Sequence, residues 1–512
     1  MSNSAHKYSP KNPQKRIEKH PPLLMGRHPT KDEWLVTYGQ TYMMLAAPPG
    51  SGKGVGIVIP NLLAYPDSVV VNDPKFENWN ITAGFRALCG HKCYRFSPEL
   101  LETHRWNPLS FLNRDPLYRL GEIRTMASVL YSPDNPKNAG WFKKAGNIFT
   151  ALVLYLMETP ELPFTLPQVY EIAAMGERLG DWVQEILDNR LNGDRALSSE
   201  CVRELNRVLG ETKNKQGWPT TEGILNERLS VYGEKTVAWA LSGTDIDFSK
   251  LREELMSVYF CVTEGNIKKF GPLMNLFFSQ AIRANTKVMP EEGGHCADGT
   301  LKFKYQVLFV LDEIAVMGHM EVMETAPALT RGAGLRYLIV FQSKDQMRSD
   351  KTYGVEGGNG IMKAFHVEVV FAPGDEQLAK EYSTRLGNTT VRVAGDSVSY
   401  GQNKTRSNSF SFQPRALMLP QEIDALPYSE ELIFIQGTKK TPPRNIRARK
   451  IFWYEDRILK ERAGLALPKI PKGDAQLIEA LVVPMIKSKS NAEMAPPYDQ
   501  DIRQEQQRRN MN

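Results

Sequence analysis

Residues 47–56 read A-P-P-G-S-G-K-G-V-G, and this run decides the fold. Tyr42 to Ala46 is a short apolar stretch leading into it. Behind it Val55, Val58, Ile59, Leu62 and Leu63 recur at helical spacing, with Pro60 expected to kink the helix. A strand feeding a Gly-rich loop that opens a helix is the arrangement that cradles phosphate, because backbone N–H groups and the helix N-terminus both favour an anion. Gly50, Ser51 and Gly52 form the turn, and Lys53 would meet the β- and γ-oxygens as a point charge. Two letters depart from the usual pattern. Ala47 stands where a first Gly is expected, and Gly54 stands where Ser or Thr normally gives a hydroxyl to Mg²⁺. Gly54 and Gly56 each cost the helix about 1 kcal/mol relative to Ala, which suggests close approach of a ligand or of backbone. A Gly-rich turn without a ligand is the competing reading.

A second stretch shifts that balance. Val307-Leu-Phe-Val-Leu-Asp-Glu313 is an apolar strand ending in two acids. In P-loop enzymes an Asp at this place, here Asp312, holds the Mg²⁺, and a following Glu, here Glu313, orients or deprotonates the attacking water. The pair could instead cap the next helix. Together with Lys53 the two acids favour an ATPase with ATP and Mg²⁺ as its cofactors. Gln342 closes the strand Leu335 to Phe341, where sheet ligands usually sit, and would sense the γ-phosphate, position water or make a strand-end hydrogen bond. Arg331, before Gly332, is either a cation at a helix C-terminus or an arginine finger for a neighbour's nucleotide.

The rhythm of the chain is α/β. Ser68 to Asp73 and Cys93 to Phe96 read as strands flanking a helical stretch, Ile81 to Leu88. Helical periodicity then takes over: Trp141 to Met157, Leu166 to Ala174, Trp182 to Leu187 and Cys201 to Val208. Strands resume at Val258 to Val262, Val307 to Leu311, Leu335 to Phe341, Val367 to Phe371 and Leu432 to Ile435. The expected organisation is therefore a basic N-terminal tail (1–24), a nucleotide-binding domain in two parts (25–114 and 241–467) with a largely parallel sheet, an inserted all-α domain (115–240) and a polar C-terminal tail (468–512). Residues 396–413, polar and Gly/Ser/Asn-rich with Tyr400, Lys404, Arg406, Phe410 and Phe412, read as a flexible loop that either grips single-stranded DNA or is plain surface.

Composition agrees with a multidomain globular protein: 512 residues, 41% apolar and 24% charged. The apolar run Ile148 to Met157 is too short to span a bilayer and suits a buried helix. Five scattered cysteines imply a reducing compartment without a disulfide framework, and Cys89, His91 and Cys93 read as strand residues rather than a zinc site. Residues 115–235 carry −3 while the remainder of the chain carries +9. A basic body with an acidic helical segment is compatible with nucleic acid on one part and protein on the other.

These stretches together resemble one family. APPGSGKGVGIVIPNLLAYPDSVVVNDPKFEN (47–78), ITAGFR (81–86) and HRWNPL (104–109) are similar to the first block of the type IV secretion coupling proteins of the VirD4/TraG group. LFVLDEIAVMGHM (308–320), LTRGAGLRYLIVFQSKDQM (329–347), EYSTRLGNTT (381–390) and RALMLPQEIDALP (415–427) continue the match. The resemblance implies a RecA-like ATPase, usually hexameric, with an all-α insert that recognises relaxosome or effector protein. It links a relaxase–DNA complex to the secretion channel and drives or licenses transfer of single-stranded DNA. In this family SGKG recurs, so Gly54 is a subgroup trait. Arg331 falls at the trans-acting arginine and Gln342 at the characteristic glutamine. Pro49 replaces a common Thr. Asp73, Lys75 and Glu77 match a D-x-K-x-E element in which Phe76 replaces the usual Gly, and no role is assigned to them.

Family members typically begin with transmembrane helices, and this sequence has none. The expectation is a soluble chain at the cytoplasmic face of the bacterial inner membrane, with its anchor removed or supplied by partners. The basic segment 1–22 would be attracted to anionic lipid. Two other readings are a nucleotide-regulated docking platform for effectors and an FtsK/HerA-like double-stranded DNA translocase. The large insert, and the lack of an evident winged-helix module, argue against the latter.

Overall fold

Successive side chains of the apolar strands enter two different cores, which is why those runs are apolar throughout. Met43 and Leu45 pack with Val69, Leu308, Leu338 and Val367 on one side of the sheet. Met44 and Ala46 pack with Val70, Phe309 and Ile339 on the other. A parallel sheet covered on both faces demands this continuous pattern. The computed structural model describes residues 21–39, 41–133, 136–290, 292–296, 299–399, 405–437 and 442–485.

The strands are β1 (Leu23–Arg27), β2 (Trp34–Thr37), β3 (Met43–Ala46), β4 (Ser68–Asp73), β5 (Lys92–Phe96), β6 (Met256–Cys261), β7 (Val307–Asp312), β8 (Leu335–Phe341), β9 (Val367–Val370), β10 (Asn388–Ser399), β11 (Thr405–Ala416), β12 (Glu430–Ile435) and β13 (Arg444–Arg449). Among the described residues eleven of them form one sheet in the order β2-β1-β13-β12-β9-β3-β8-β7-β4-β6-β5. From β9 to β5 the pairing is parallel, as expected. The antiparallel extension through β12, β13, β1 and β2 is not apparent from the sequence. Its strand β13 reads R-N-I-R-A-R and is partly exposed, so it carries no apolar run to betray it.

One face of the sheet is covered by α1 (Ile59–Ala64) and α2 (Glu77–Leu88), through residues such as Leu62, Trp79 and Ala83. Between β5 and β6, strands that pair directly, the chain makes α3 (Arg119–Leu130), α4 (Ala139–Met157), α5 (Leu166–Ala173), α6 (Leu179–Asn189), α7 (Ser199–Lys213), α8 (Trp218–Leu229) and α9 (Lys235–Ala240). Helix α4 is the centre of this block: Ile148 to Leu156 are buried without a break, and α3, α7 and α8 pack around it. No helix among the described residues is long and apolar enough to cross a membrane.

Four expectations need correction. Residues 21–24 are not tail, because Leu23 and Leu24 are buried in β1, while residues 1–20 lie outside the described residues. The polar stretch from 468 is packed to residue 485. Gly473 N–H donates to Leu101 O at 2.8 Å, Val483 N–H donates to Gln168 Oε1 at 2.8 Å, and a short helix, Ala475–Glu479, lies against α9. These are backbone and polar contacts that apolar periodicity does not register.

Residues 396–399 and 405–413 are not loop: they belong to β10 and β11, which pair antiparallel at twelve positions from Asn388↔Ala416 to Ser399↔Thr405. Its Ser/Thr-rich composition hides the two-residue period. Tyr400 and Lys404 lie outside the described residues, while Phe410 and Phe412 are exposed. Finally, Pro60 kinks nothing. A π-helical turn, Gly54–Val58, precedes α1 and places Pro60 in its first turn, where no N–H is needed.

Candidate nucleotide site

The loop after β3 begins tied to β8, where Ala47 N–H donates to Phe341 O at 3.0 Å. Gly50 (φ 75°) and Gly52 (φ 87°) adopt left-handed backbone that an L side chain would strain. At Gly52 there is also no room: a Cβ would sit 2.7 Å from Tyr428 Oη. Ser51 Oγ donates to Pro48 O at 2.6 Å, closing the turn. Gly54 has ordinary φ and nothing within 4 Å of where a Cβ would be.

The sheet order β3-β8-β7-β4 puts the chemistry-bearing strand ends side by side at one edge. Lys53 Nζ donates to Glu313 Oε2 at 2.8 Å, with both side chains largely buried. Glu313 holds φ 63°, ψ 51°, a left-handed conformation that costs a non-glycine residue of order 1–3 kcal/mol. Its Oε1 is buried without a hydrogen-bond partner among the described residues. Asp312, one residue earlier, is half-buried. Desolvation pushes its carboxyl up to about 7, against the pull of Lys53 and with the push of Glu313, Asp73 and Glu77. Gln342 follows β8, between the loop and these acids in sheet order, and its backbone N–H donates to Gln346 Oε1 at 3.0 Å.

Asp73 ends β4 and caps α2, its carboxylate accepting from Asn78 N–H at 3.2 Å and Trp79 N–H at 2.8 Å. Burial raises it to about 6. Phe76 stands at φ 60°, so its position asks for the Gly usual in the D-x-K-x-E element. Lys75 is exposed and pairs with Glu264 at 2.7 Å.

Arg331 is not brought to this edge. Its Nη2 donates to Ala364 O at 3.2 Å and lies 3.3 Å from His366 Nδ1, with the guanidinium 5.3 Å from the ring centre of Tyr42. Tyr42, His366 and Leu335 lie at the N-terminal starts of β3, β9 and β8, opposite the loop.

One residue escaped the sequence reading. Lys450, just past β13, is buried and donates from Nζ to Ser51 O at 2.9 Å, tying the loop to the antiparallel half of the sheet. It lies 3.6 Å from the ring centre of Phe371, and burial pulls its ammonium down to about 8. Nothing in R-A-R-K marks it.

The arrangement suits a magnesium–nucleotide: a glycine cradle with open space at Gly50 and Gly54, Lys53 beside it, and an acid pair in which Glu313 keeps a buried oxygen without a partner among the described residues. Residues 3–480 match the family model described as type IV secretory system conjugative DNA transfer. Protein VirD4 of Rhizobium radiobacter is 28% identical over 458 residues, covering 88% of this chain and 62% of that protein. Conjugal transfer protein TraG of Escherichia coli is 25% identical over 489 residues, covering 88% of this chain and 74% of that one. The chain thus spans less than two thirds of the length of VirD4. Among solved structures, the bacterial conjugative coupling protein TrwBdeltaN70 superposes with a TM-score of 0.58 at 14% identity, covering 88% of this chain and 92% of that one. Plasmid coupling protein TrwB in complex with ADP and Mg²⁺ gives 0.56 at 16% identity, over 80% and 85%. At these identities the likeness establishes a fold: TrwB-like, RecA-like α/β with a helical domain.

Proposed function

The chain belongs to the type IV secretory system conjugative DNA transfer family, the VirD4/TraG coupling proteins, and from that premise we propose that it is an ATP-hydrolysing coupling protein for conjugative transfer. The observation that carries the proposal is the 2.8 Å pair between Lys53 of the glycine loop and Glu313 at the end of β7. TrwB complexes with ADP and Mg²⁺, with an ATP analogue and with a GTP analogue support a purine nucleoside phosphate at this site.

ATP lays its phosphates on Gly50 to Gly54, where backbone N–H groups and Lys53 meet them. Phosphate competes with Glu313 for the Lys53 ammonium and frees the carboxylate to orient water and accept its proton. Asp312 would hold Mg²⁺, whose charge offsets that of the phosphate oxygens. With no hydroxyl at Gly54, Asp312 would be the main protein group holding it. Gln342 positions the water or senses the γ-phosphate. Arg331, remote from its own loop, serves a neighbouring subunit of a hexamer.

Single-stranded DNA and its relaxase, or an effector, are the cargo. Residues 115–240 form the receptor domain for that protein, set between the two parts of the nucleotide-binding domain (25–114 and 241–467). Channel components and the inner membrane are the remaining partners. The test is phosphate release with and without single-stranded DNA, paired with a transfer assay. Stimulation by DNA and loss of both activities in Lys53→Ala are expected. Transfer that survives in a Lys53→Ala protein without hydrolysis sinks the motor reading.

A further inference from the structure

Three aromatic rings lie flat on one another beside the glycine loop, and nothing in the hydrolytic scheme uses them. Tyr428 and Phe452 have ring centres 5.4 Å apart at 12°, and Phe452 and Tyr454 are 5.5 Å apart at 14°. Near-parallel, offset rings at these distances form a ladder of favourable aromatic pairs. Here the middle ring is buried at 5% exposure while the end rings are open, Tyr428 at 54% and Tyr454 at 38%.

The ladder is fixed to the loop at three points. The Tyr428 hydroxyl and the Phe452 edge abut Gly52, 2.7 Å and 3.4 Å from where a Cβ would stand. Lys450 Nζ, bonded to Ser51 O, lies 4.7 Å from the centre of the Tyr428 ring. Trp453 N–H, within the ladder segment, donates to Val55 O at 3.3 Å.

We propose that Tyr428, continued by Phe452 and Tyr454, is the platform on which the base of the bound nucleotide stacks. This rests on reading residues 47–54 as a nucleotide site. A nucleotide with its phosphates on the loop carries one flat, aromatic group displaced from it by the ribose, and Tyr428, more than half exposed and touching the loop through its hydroxyl end, offers a flat partner there. Stacking on a tyrosine needs no hydrogen-bond readout, so the platform contributes affinity irrespective of the base's edge. The ladder also explains why position 52 must be glycine twice over: for its backbone, and for the hydroxyl of Tyr428.

The test compares binding of ATP and of inorganic tripolyphosphate, each with Mg²⁺, to the whole chain by calorimetry. Tyr428→Ala should lose roughly tenfold or more in ATP affinity, the range seen for base–aromatic stacking, and keep its tripolyphosphate affinity. Tyr428→Phe should bind both like the parent. Lys53→Ala should lose both ligands, separating phosphate from base recognition. Unchanged ATP affinity in Tyr428→Ala overturns the platform, including the outcome in which that variant alters only self-association because a second copy covers the ladder. A parent protein that binds neither ligand overturns the nucleotide reading itself, and the platform with it.

Discussion

Lys53 and Glu313 are 260 residues apart in sequence, yet the lysine ammonium donates to the glutamate carboxylate at 2.8 Å across the end of β8. The glutamate reaches it from a left-handed backbone, and its second oxygen makes no hydrogen bond among the described residues. An acid held under strain, with one oxygen free, is suited to receive water or a proton. Glu313→Gln should therefore bind ATP at least as tightly as the parent and slow hydrolysis by about 10²–10⁴-fold. Single-turnover phosphate release beside equilibrium binding separates the two. Unimpaired turnover would reduce Glu313 to an ion-pair partner of Lys53.

Gly54 has room for a side chain. Gly54→Ser should fold without loss, and the hydroxyl should add a ligand for Mg²⁺. The Mg²⁺ concentration needed for half-maximal ATP binding should fall several-fold. An unchanged Mg²⁺ titration would mean that Asp312 and the phosphates already satisfy the ion.

For Arg331, a role in a neighbour's site and a role within its own chain predict different mixing behaviour. Arg331→Ala and Lys53→Ala subunits, each inactive alone, should recover part of the parental hydrolysis when assembled together, because some interfaces then pair an intact loop with an intact arginine. If Arg331 serves only to hold Ala364 O and His366, no recovery follows, and the loss appears instead as a lower melting temperature of Arg331→Ala.

Asp73 ties stability to pH. Its folded carboxyl titrates at about 6, above the ordinary 3.8, so between those values the folded chain keeps a proton that the unfolded chain releases. Stability contributed by this group is present in full below pH 4 and is lost as pH rises through 6, on the order of 3 kcal/mol. Asp73→Asn removes the titration but keeps one acceptor oxygen where the carboxylate uses two, Oδ1 for Asn78 N–H and Oδ2 for Trp79 N–H, so it should be about 1 kcal/mol less stable than the parent at pH 4 and more stable than the parent at pH 7.5. Asp73→Leu leaves both N–H groups unsatisfied and should cost about 1–3 kcal/mol at pH 4, a deficit that the parent's own loss of about 3 kcal/mol offsets by pH 7.5. Urea unfolding at the two pH values checks both variants. An Asp73→Asn protein no more stable at pH 7.5 would show that the folded aspartate is already ionised without penalty.

The parallel half of the sheet was legible because each of its strands is buried on both faces, and a short apolar run bounded by Gly or Asp in an α/β chain is seldom anything but such a strand. Ser68–Asp73 and Leu335–Phe341 coincide with β4 and β8 residue for residue. The strands that escaped, β1, β2, β13 and the hairpin β10–β11, are short, partly exposed or polar, and their pairing is satisfied by backbone rather than by side chains. Of the site, the loop and the acid pair were visible as motifs, because backbone freedom at glycine and charge at a strand end are properties of single residues.

What the sequence determined by itself was therefore local chemistry and family: a glycine loop with Lys53, acids after an apolar strand, and helices between two groups of strands. Tertiary structure alone decided which of these meet. It put Glu313 on Lys53, turned Arg331 to the opposite edge of the sheet, and brought Lys450 and the Tyr428 ladder against a loop some 400 residues away. The physical reason is that these contacts depend on strand order. Strand order is set by how buried faces pack across the whole sheet, and no local period encodes it.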